Sequence, residues 1–136
     1  MPTGAFPLKA EQFFERPNFA TIASLRPDGQ PVTVPTWYMY VDGRILVNMD
    51  AERKRVSYLR NDPRVSLTAI DPDDFQTHLS VQGKVVEFQP DDDLADIDRL
   101  AEHYTNKPYP YRTRPRLSAW IEIATWHGWG ALGRTH

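Results

Sequence analysis

Two tight-turn signals, Pro27-Asp28-Gly29-Gln30 and Asp42-Gly43, cut the first half of the chain into three apolar runs. Proline presets one backbone angle at the first turn, while Gly29 and Gly43 accept the positive φ that other residues resist. The flanking runs, residues 19–26, 31–41 and 44–49, are therefore expected to be strands joined as an antiparallel meander. In the middle run Thr33, Pro35, Trp37, Met39 and Val41 alternate with Val32, Val34, Thr36, Tyr38 and Tyr40, so both faces are largely apolar. A strand covered on both sides suits a barrel wall that also meets a partner subunit.

Further along, residues 64–70 and 75–88 read as strands separated by an acidic loop at Asp71, Asp73 and Asp74. Gly83 is expected to mark a bulge or bend at a barrel corner. Residues 117–125 form the last strand, before a tail containing Trp126, His127, Gly128, Trp129 and Gly130. Helical signals are confined to three segments. Residues 8–16 place Leu8, Phe13 and Phe14 on one face and stop at Pro17; residues 51–61 turn Val56 and Leu59 inward. Residues 91–104 carry acids in the first turn and a buried stripe of Leu94, Ile97, Leu100 and Ala101, followed by a proline-rich connector over 106–115. At least six strands with so few strand-helix-strand units imply a mainly β chain, a small antiparallel barrel with helical caps.

At 136 residues the chain is expected to be one domain, residues 1–136. A net charge of -2 and a pI near 6.1 argue against a generally basic nucleic-acid binder. With no cysteine there is no disulfide, thiolate metal site or cysteine nucleophile. A cytoplasmic location is the default expectation, because the N-terminal residues lack the apolar core of a signal peptide and no run approaches the roughly 18–20 apolar residues that cross a bilayer. Neither a nucleic acid nor a membrane is expected as a partner.

The charge is nevertheless uneven. Residues 52–64 hold five cations against two acids, and an apolar strand feeds straight into Arg53, Lys54 and Arg55. Such a cluster can be a solvated helix face, or an anion site in which first-turn N–H groups reinforce the side chains. Asp50 is a natural N-cap that would compete for those donors. The acids at Asp71, Asp73 and Asp74 read as a solvated loop, and those at Asp91, Asp92, Asp93, Asp96 and Asp98 as a helix start. His78, His103 and His127 lack metal spacing, so no metal is expected, and His136 at the end is expected to be unordered. No serine lies in a G-x-S-x-G elbow and no phosphate loop of the G-x-x-x-x-G-K type occurs.

Residues 19–70, FATIASLRPDGQPVTVPTWYMYVDGRILVNMDAERKRVSYLRNDPRVSLTAI, resemble the pyridoxamine 5'-phosphate oxidase-like split-barrel superfamily. The shared order is strand, DG turn, a strand reading PV.VP.W, DG turn, strand, basic helix, and a strand reading L..DPRVSL. The block RKRVSYLRNDPR and the aromatic strand ahead of Asp42-Gly43 are most similar to the branch that binds coenzyme F420, a deazaflavin hydride carrier. The closing strand and its HGWG tail, residues 116–130, extend the similarity.

The resemblance implies a six- to seven-stranded antiparallel split β-barrel of the FMN-binding type, a homodimer with cofactor sites at the subunit interface. It implies an oxidoreductase that passes a hydride from F420 to a small electron-poor substrate. Val47, Asn48 and Met49 would lie along the cofactor's tail, and Arg53, Lys54 and Arg55 would take its phosphate and glutamyl carboxylates. The ring would rest near Thr33, Val34, Pro35 and Trp37, with Gln76 and Thr77 opposite and Trp129 also in contact. No side chain stands out as the catalytic acid. FMN in place of the deazaflavin, or a cofactor-binding protein without turnover, are the alternatives.

Overall fold

Asp42 and Gly43 both adopt positive φ, 51° and 81°, which gives their turn the twist that joins Met39–Val41 (β3) to Arg44–Asp50 (β4) as a hairpin. Gly29, at φ 87°, serves the turn between Phe19–Leu25 (β1) and Pro31–Pro35 (β2). The remaining strands are Arg64–Asp71 (β5), Asp74–Pro90 (β6) and Arg116–Trp129 (β7). Three α-helices, Leu8–Phe14 (α1), Lys54–Asn61 (α2) and Ala95–Thr105 (α3), and a 3-10 turn over Gly130–Leu132 complete the computed structural model, which describes residues 6–133. The expectations for the first five residues and for His136 lie outside the described residues.

All seven strands pair antiparallel in one sheet, ordered β2-β1-β5-β6-β7-β4-β3, the split barrel the resemblance implies. The single strand expected over residues 31–41 is in fact two, and they lie at opposite ends of the sheet. The meander is therefore corrected to two hairpins joined by a crossing. Proline explains the break: Pro35 has no N–H to donate, so the ladder of β2 ends there. The crossing residues 36–38 are held by other bonds. Thr36 N–H donates to the Ala20 carbonyl at 3.0 Å, and the fully buried Tyr38 hydroxyl donates to the Phe14 carbonyl at 2.9 Å.

Other boundaries shift less. β7 runs on through Trp129 instead of stopping at Thr125, because Trp126 to Trp129 pair with Val81 to His78. Helix α2 starts at Lys54 rather than Ala51, and α3 at Ala95 rather than Asp91. Leu8 is 70% exposed and leaves the face on which Phe13 and Phe14 are buried. In α3, Ile97, Leu100 and Ala101 are buried as expected, whereas Leu94 is only partly so.

Alternation divides the sheet into an inside and an outside. Ile45, Val47 and Met49 of β4 point into the barrel with Ala119 and Ile121 of β7, while Phe13 and Phe14 close one end. Leu46 and Trp120 point the other way, and α3 covers them with Ile97 and Leu100. Each large side chain so buried contributes about 1.5–3 kcal/mol. The asymmetry also sets up the site, because Asn48 and Asp50 share the outward face of β4 with Leu46.

The sheet bends at Gly83, where the register between β6 and β7 shifts. A Cβ there would lie 2.0 Å from the Glu122 carbonyl oxygen, closer than any side chain tolerates. Gly83→Ala should therefore destabilise the protein by about 2 kcal/mol or more through forced backbone displacement. Urea denaturation measures this, and an unchanged midpoint would contradict the close approach.

Candidate functional site

The outward end of β4 meets the start of α2, the end of β2 and the connector before β7, and two cavities open between them. The larger, about 640 Å³, has walls of Phe19, Pro35, Trp37, Ile70, Leu100 and Tyr104. The smaller, about 270 Å³, is lined by Val34, Met49, Asp50 and Arg53. Pro35, Asn48, Arg55, Tyr109 and Arg116 line both, so the two make one continuous groove. One end is apolar and aromatic, the other cationic.

Its aromatic wall is ordered by ring contacts. Trp37 stacks on Tyr104 with centroids 5.5 Å apart and 16° between planes, and meets Tyr109 edge to face at 6.2 Å. The Tyr104 hydroxyl donates to the Asn18 carbonyl at 2.7 Å, and burial pushes its pKa above the ordinary tyrosine value. No carboxylate or imidazole is among the described residues lining the larger cavity.

At the cationic end three guanidinium groups, from Arg53, Arg55 and Arg116, line the smaller cavity. Among the described residues none of the three has a carboxylate within ion-pair distance. The Arg55 pKa is lowered, first by burial and then by the like charges of Arg53 and Arg116. Arg116 lies 4.9 Å over the Tyr109 ring, and its Nε donates to Asn48 Oδ1 at 2.9 Å.

The nearby acids are occupied elsewhere. Asp50 does not cap α2, as its spacing suggested; its Oδ1 accepts from the Glu52 N–H at 2.9 Å. The residue at the N-cap is Arg53, and no side chain caps the helix. Asp50 is also gripped by Arg114, which holds Glu52 at 2.9 Å as well, and these bonds keep the Asp50 carboxyl below its usual range. Arg55, partly desolvated beside two like charges and with no carboxylate within ion-pair distance among the described residues, makes a site whose electrostatic deficit an anion would fill.

Of the residues the sequence nominated, the groove brings together Val34, Pro35, Trp37, Asn48, Met49, Arg53 and Arg55. Others lie apart from both cavities. Thr33 is exposed on β2 opposite Ala23, Lys54 is exposed on α2, and Val47 is enclosed in the barrel. Gln76, Thr77 and Trp129 sit at the far ends of β6 and β7, where Thr77 Oγ1 donates to Asp74 Oδ2 at 2.7 Å. Sequence reasoning missed Arg116, Tyr104 and Tyr109. Arg116 pairs with Asp50 across β4 and β7, so the register alone would have placed it at the end of the strand that leads to α2. The two tyrosines arrive from the end of α3 and from a connector read only as a linker.

Comparison with known proteins gives a family match. The sequence pattern of the pyridoxamine 5'-phosphate oxidase family covers residues 6–130. An F420 reductase of known structure superposes with a TM-score of 0.78 at 24% identity, over 93% of this chain and 98% of that one. A conserved hypothetical protein from Mycobacterium tuberculosis gives 0.66 at 23% identity, covering 93% and 86%. General stress protein 26 from Bacillus anthracis gives 0.69 at 16%, covering 89% and 91%. At these identities the structures speak for the fold. No curated protein matches.

The electrostatics carry their own test. Replacing Arg55 with Met keeps the apolar stem and removes one of three crowded charges, so the ligand-free protein should be unchanged in stability or gain about 1 kcal/mol. The same variant should lose stabilisation by added pyrophosphate. Calorimetric melting with and without the anion checks both, and a variant that melts lower but keeps the pyrophosphate shift would contradict the reading.

Proposed function

Because this chain belongs to the pyridoxamine 5'-phosphate oxidase family, whose members are flavin-type oxidoreductases, we propose that it is an oxidoreductase using coenzyme F420. The observation that carries the proposal is the groove itself: an apolar aromatic chamber continuous with a narrow one lined by three guanidinium groups, none of which has a carboxylate within ion-pair distance among the described residues. That shape and charge suit a ligand with a flat ring at one end and several anionic groups at the other. A single FMN phosphate would use only part of the cationic end.

In this reading Arg55 and Arg116 grip the phosphate, Arg53 reaches the first glutamyl carboxylates, and exposed Lys54 serves those farther out. Arginine suits the inner positions because its planar fork makes paired, charge-assisted hydrogen bonds. Asn48 and Met49 flank the tail, and Val34, Pro35 and Trp37 support the ring. The bound deazaflavin would supply the hydride for an electron-poor C=C, C=N or carbonyl group. The protein's share is orientation and exclusion of water by Phe19, Ile70, Leu100 and Tyr104. With the Tyr104 hydroxyl committed to Asn18 and raised in pKa, solvent is the source of the proton.

A homodimer is part of the proposal. On the outer face of the sheet one row runs Thr21, Thr68, Ser80, His127 and the next Ala23, Ser66, Gln82, Thr125. Neither row carries a carboxylate, ammonium or guanidinium group, and their hydroxyls and amides bond to one another, as in Thr125 to Gln82 at 2.9 Å. Such a neutral, half-buried face suits a second copy. Thr33, Gln76 and Trp129 border it, so their approach to the ring would depend on that copy, whereas Thr77 is buried on the opposite side of β6. Sedimentation showing a stable monomer at micromolar concentration would defeat this part.

The cofactor is tested by titrating the full chain with oxidised F420 and with FMN side by side. F420 should bind more tightly, and each added glutamyl carboxylate should gain about 0.2–1 kcal/mol, the range for exposed ion pairs. FMN binding more tightly than every tailed deazaflavin would transfer the assignment to FMN.

A further inference from the structure

Asp91 is 4% exposed, and among the described residues no cation pairs with it. The sequence places Asp91 in the first turn of a helix, whereas it lies in the loop before α3. Its carboxylate accepts three hydrogen bonds: from the Asp96 N–H at 3.0 Å, from the Ile97 N–H at 2.9 Å, and from Asn48 Nδ2 at 3.0 Å. The first two fasten the start of α3. The third leads out of the helix and into the groove.

Asn48 is buried and has both polar side-chain atoms engaged. Its Nδ2 donates to Asp91 and to Ser118 Oγ at 3.0 Å, and its Oδ1 accepts from Arg116 Nε at 2.9 Å. The amide has one workable orientation, because a flip would set its oxygen against the Asp91 carboxylate and its NH₂ against a guanidinium that only donates. Asp91 thus holds the NH₂ end of Asn48, and the amide passes that constraint on to Arg116. A second tie is independent of the amide: the Asp91 N–H donates to the Arg116 carbonyl at 2.9 Å. Ser118 closes the network by donating to Asp96 Oδ2 at 2.7 Å.

We infer that Asp91 is a positioning residue for anion binding, fixing the Arg116 guanidinium through the Asn48 amide while it anchors α3. The inference rests on the anion site proposed above at Arg55 and Arg116. With Nε committed to Asn48, the terminal nitrogens of Arg116 are the part left to the groove, where Nη1 makes a long contact of 3.4 Å to the Tyr109 hydroxyl.

The sign of the effect separates this role from a bare charge effect. Removing a buried negative charge near an anion site should by itself tighten anion binding. A positioning residue does the reverse when lost. Pyrophosphate is the probe, titrated calorimetrically into the full chain alongside a thermal melt. Asp91→Asn should weaken binding about tenfold, the size of one hydrogen bond to a charged group, and by less than about twofold in an Arg116→Ala background. Asn48→Ala, which leaves the bonds from α3 to Asp91 in place, should show the same dependence on Arg116 and serves if Asp91→Asn does not fold. Tighter or unchanged pyrophosphate binding, or an equal loss in both backgrounds, overturns the inference while leaving the anion site standing. If neither Arg55→Ala nor Arg116→Ala weakens pyrophosphate binding, the anion site itself fails and the inference falls with it.

Discussion

The hydroxyl of Tyr38, buried 20 residues along the chain from its partner Asn18, holds the crossing on which the rest of the architecture depends. At residues 36–38 the chain leaves one edge of the sheet and joins the other. Tyr38 donates to the Phe14 carbonyl and accepts from Asn18 Nδ2 at 3.0 Å, so α1 and the turn after it are tied to that crossing. Burial raises the Tyr38 pKa, and its ring stacks on Phe14 at 4.7 Å. The bonding requirement of one buried phenol and the apolar area of its ring favour the same position. The larger cavity forms beside it, lined by Pro35, Thr36 and Trp37 from the crossing and by Asn18 and Tyr104 from its supports.

The hairpins were legible in the sequence because they depend on local chemistry. Positive φ at Gly29 and Gly43 is a property of the turns themselves, and no distant contact is needed to anticipate it. The bulge at Gly83 was legible for a similar reason, since a glycine inside a strand pattern signals a bend or a close approach. What could not be read was where the two halves of residues 31–41 would go. Both halves have the period of a strand, and the alternation carries no record of a switch between sheet edges. Pro35 was the one local sign of a break. The helix starts were misplaced because acids were read as first-turn residues, whereas Asp91 caps α3 from four residues before its first turn.

The site divides along the same line. Arg53 and Arg55 were found because a strand and a helix contiguous in sequence bring them together, and Asn48, near the end of that strand, through the family resemblance. Arg116, Tyr104 and Tyr109 were missed because their proximity depends on the register of β7 against β4 and on the path of the connector. That connector is not loose: Asp98 accepts from the Tyr109 N–H at 3.0 Å and pairs with Arg112 at 2.9 Å, which returns the chain to the groove. No pattern of residue types over 106–115 encodes that return. It follows from a tertiary contact.

The arrangement of charge runs against what folding alone would favour. Asp50 lines the cationic cavity, yet its carboxylate and that of Glu52 are both bound by Arg114, whose side chain is 58% exposed. Solvent around Arg114 screens both of its ion pairs, so little stability is gained by diverting the acids. Leaving Arg55 partly desolvated beside two like charges is unfavourable by comparison. The fold meets that strain with neutral and aromatic contacts, the Asn48 amide and the Tyr109 ring, which fix Arg116 without cancelling its charge. A carboxylate in the place of Asn48 would stabilise the empty groove and occupy the donors an anion needs. An amide holds the guanidinium still and leaves its charge to the ligand, and the carboxylate that orients the amide stands one residue farther back, at Asp91.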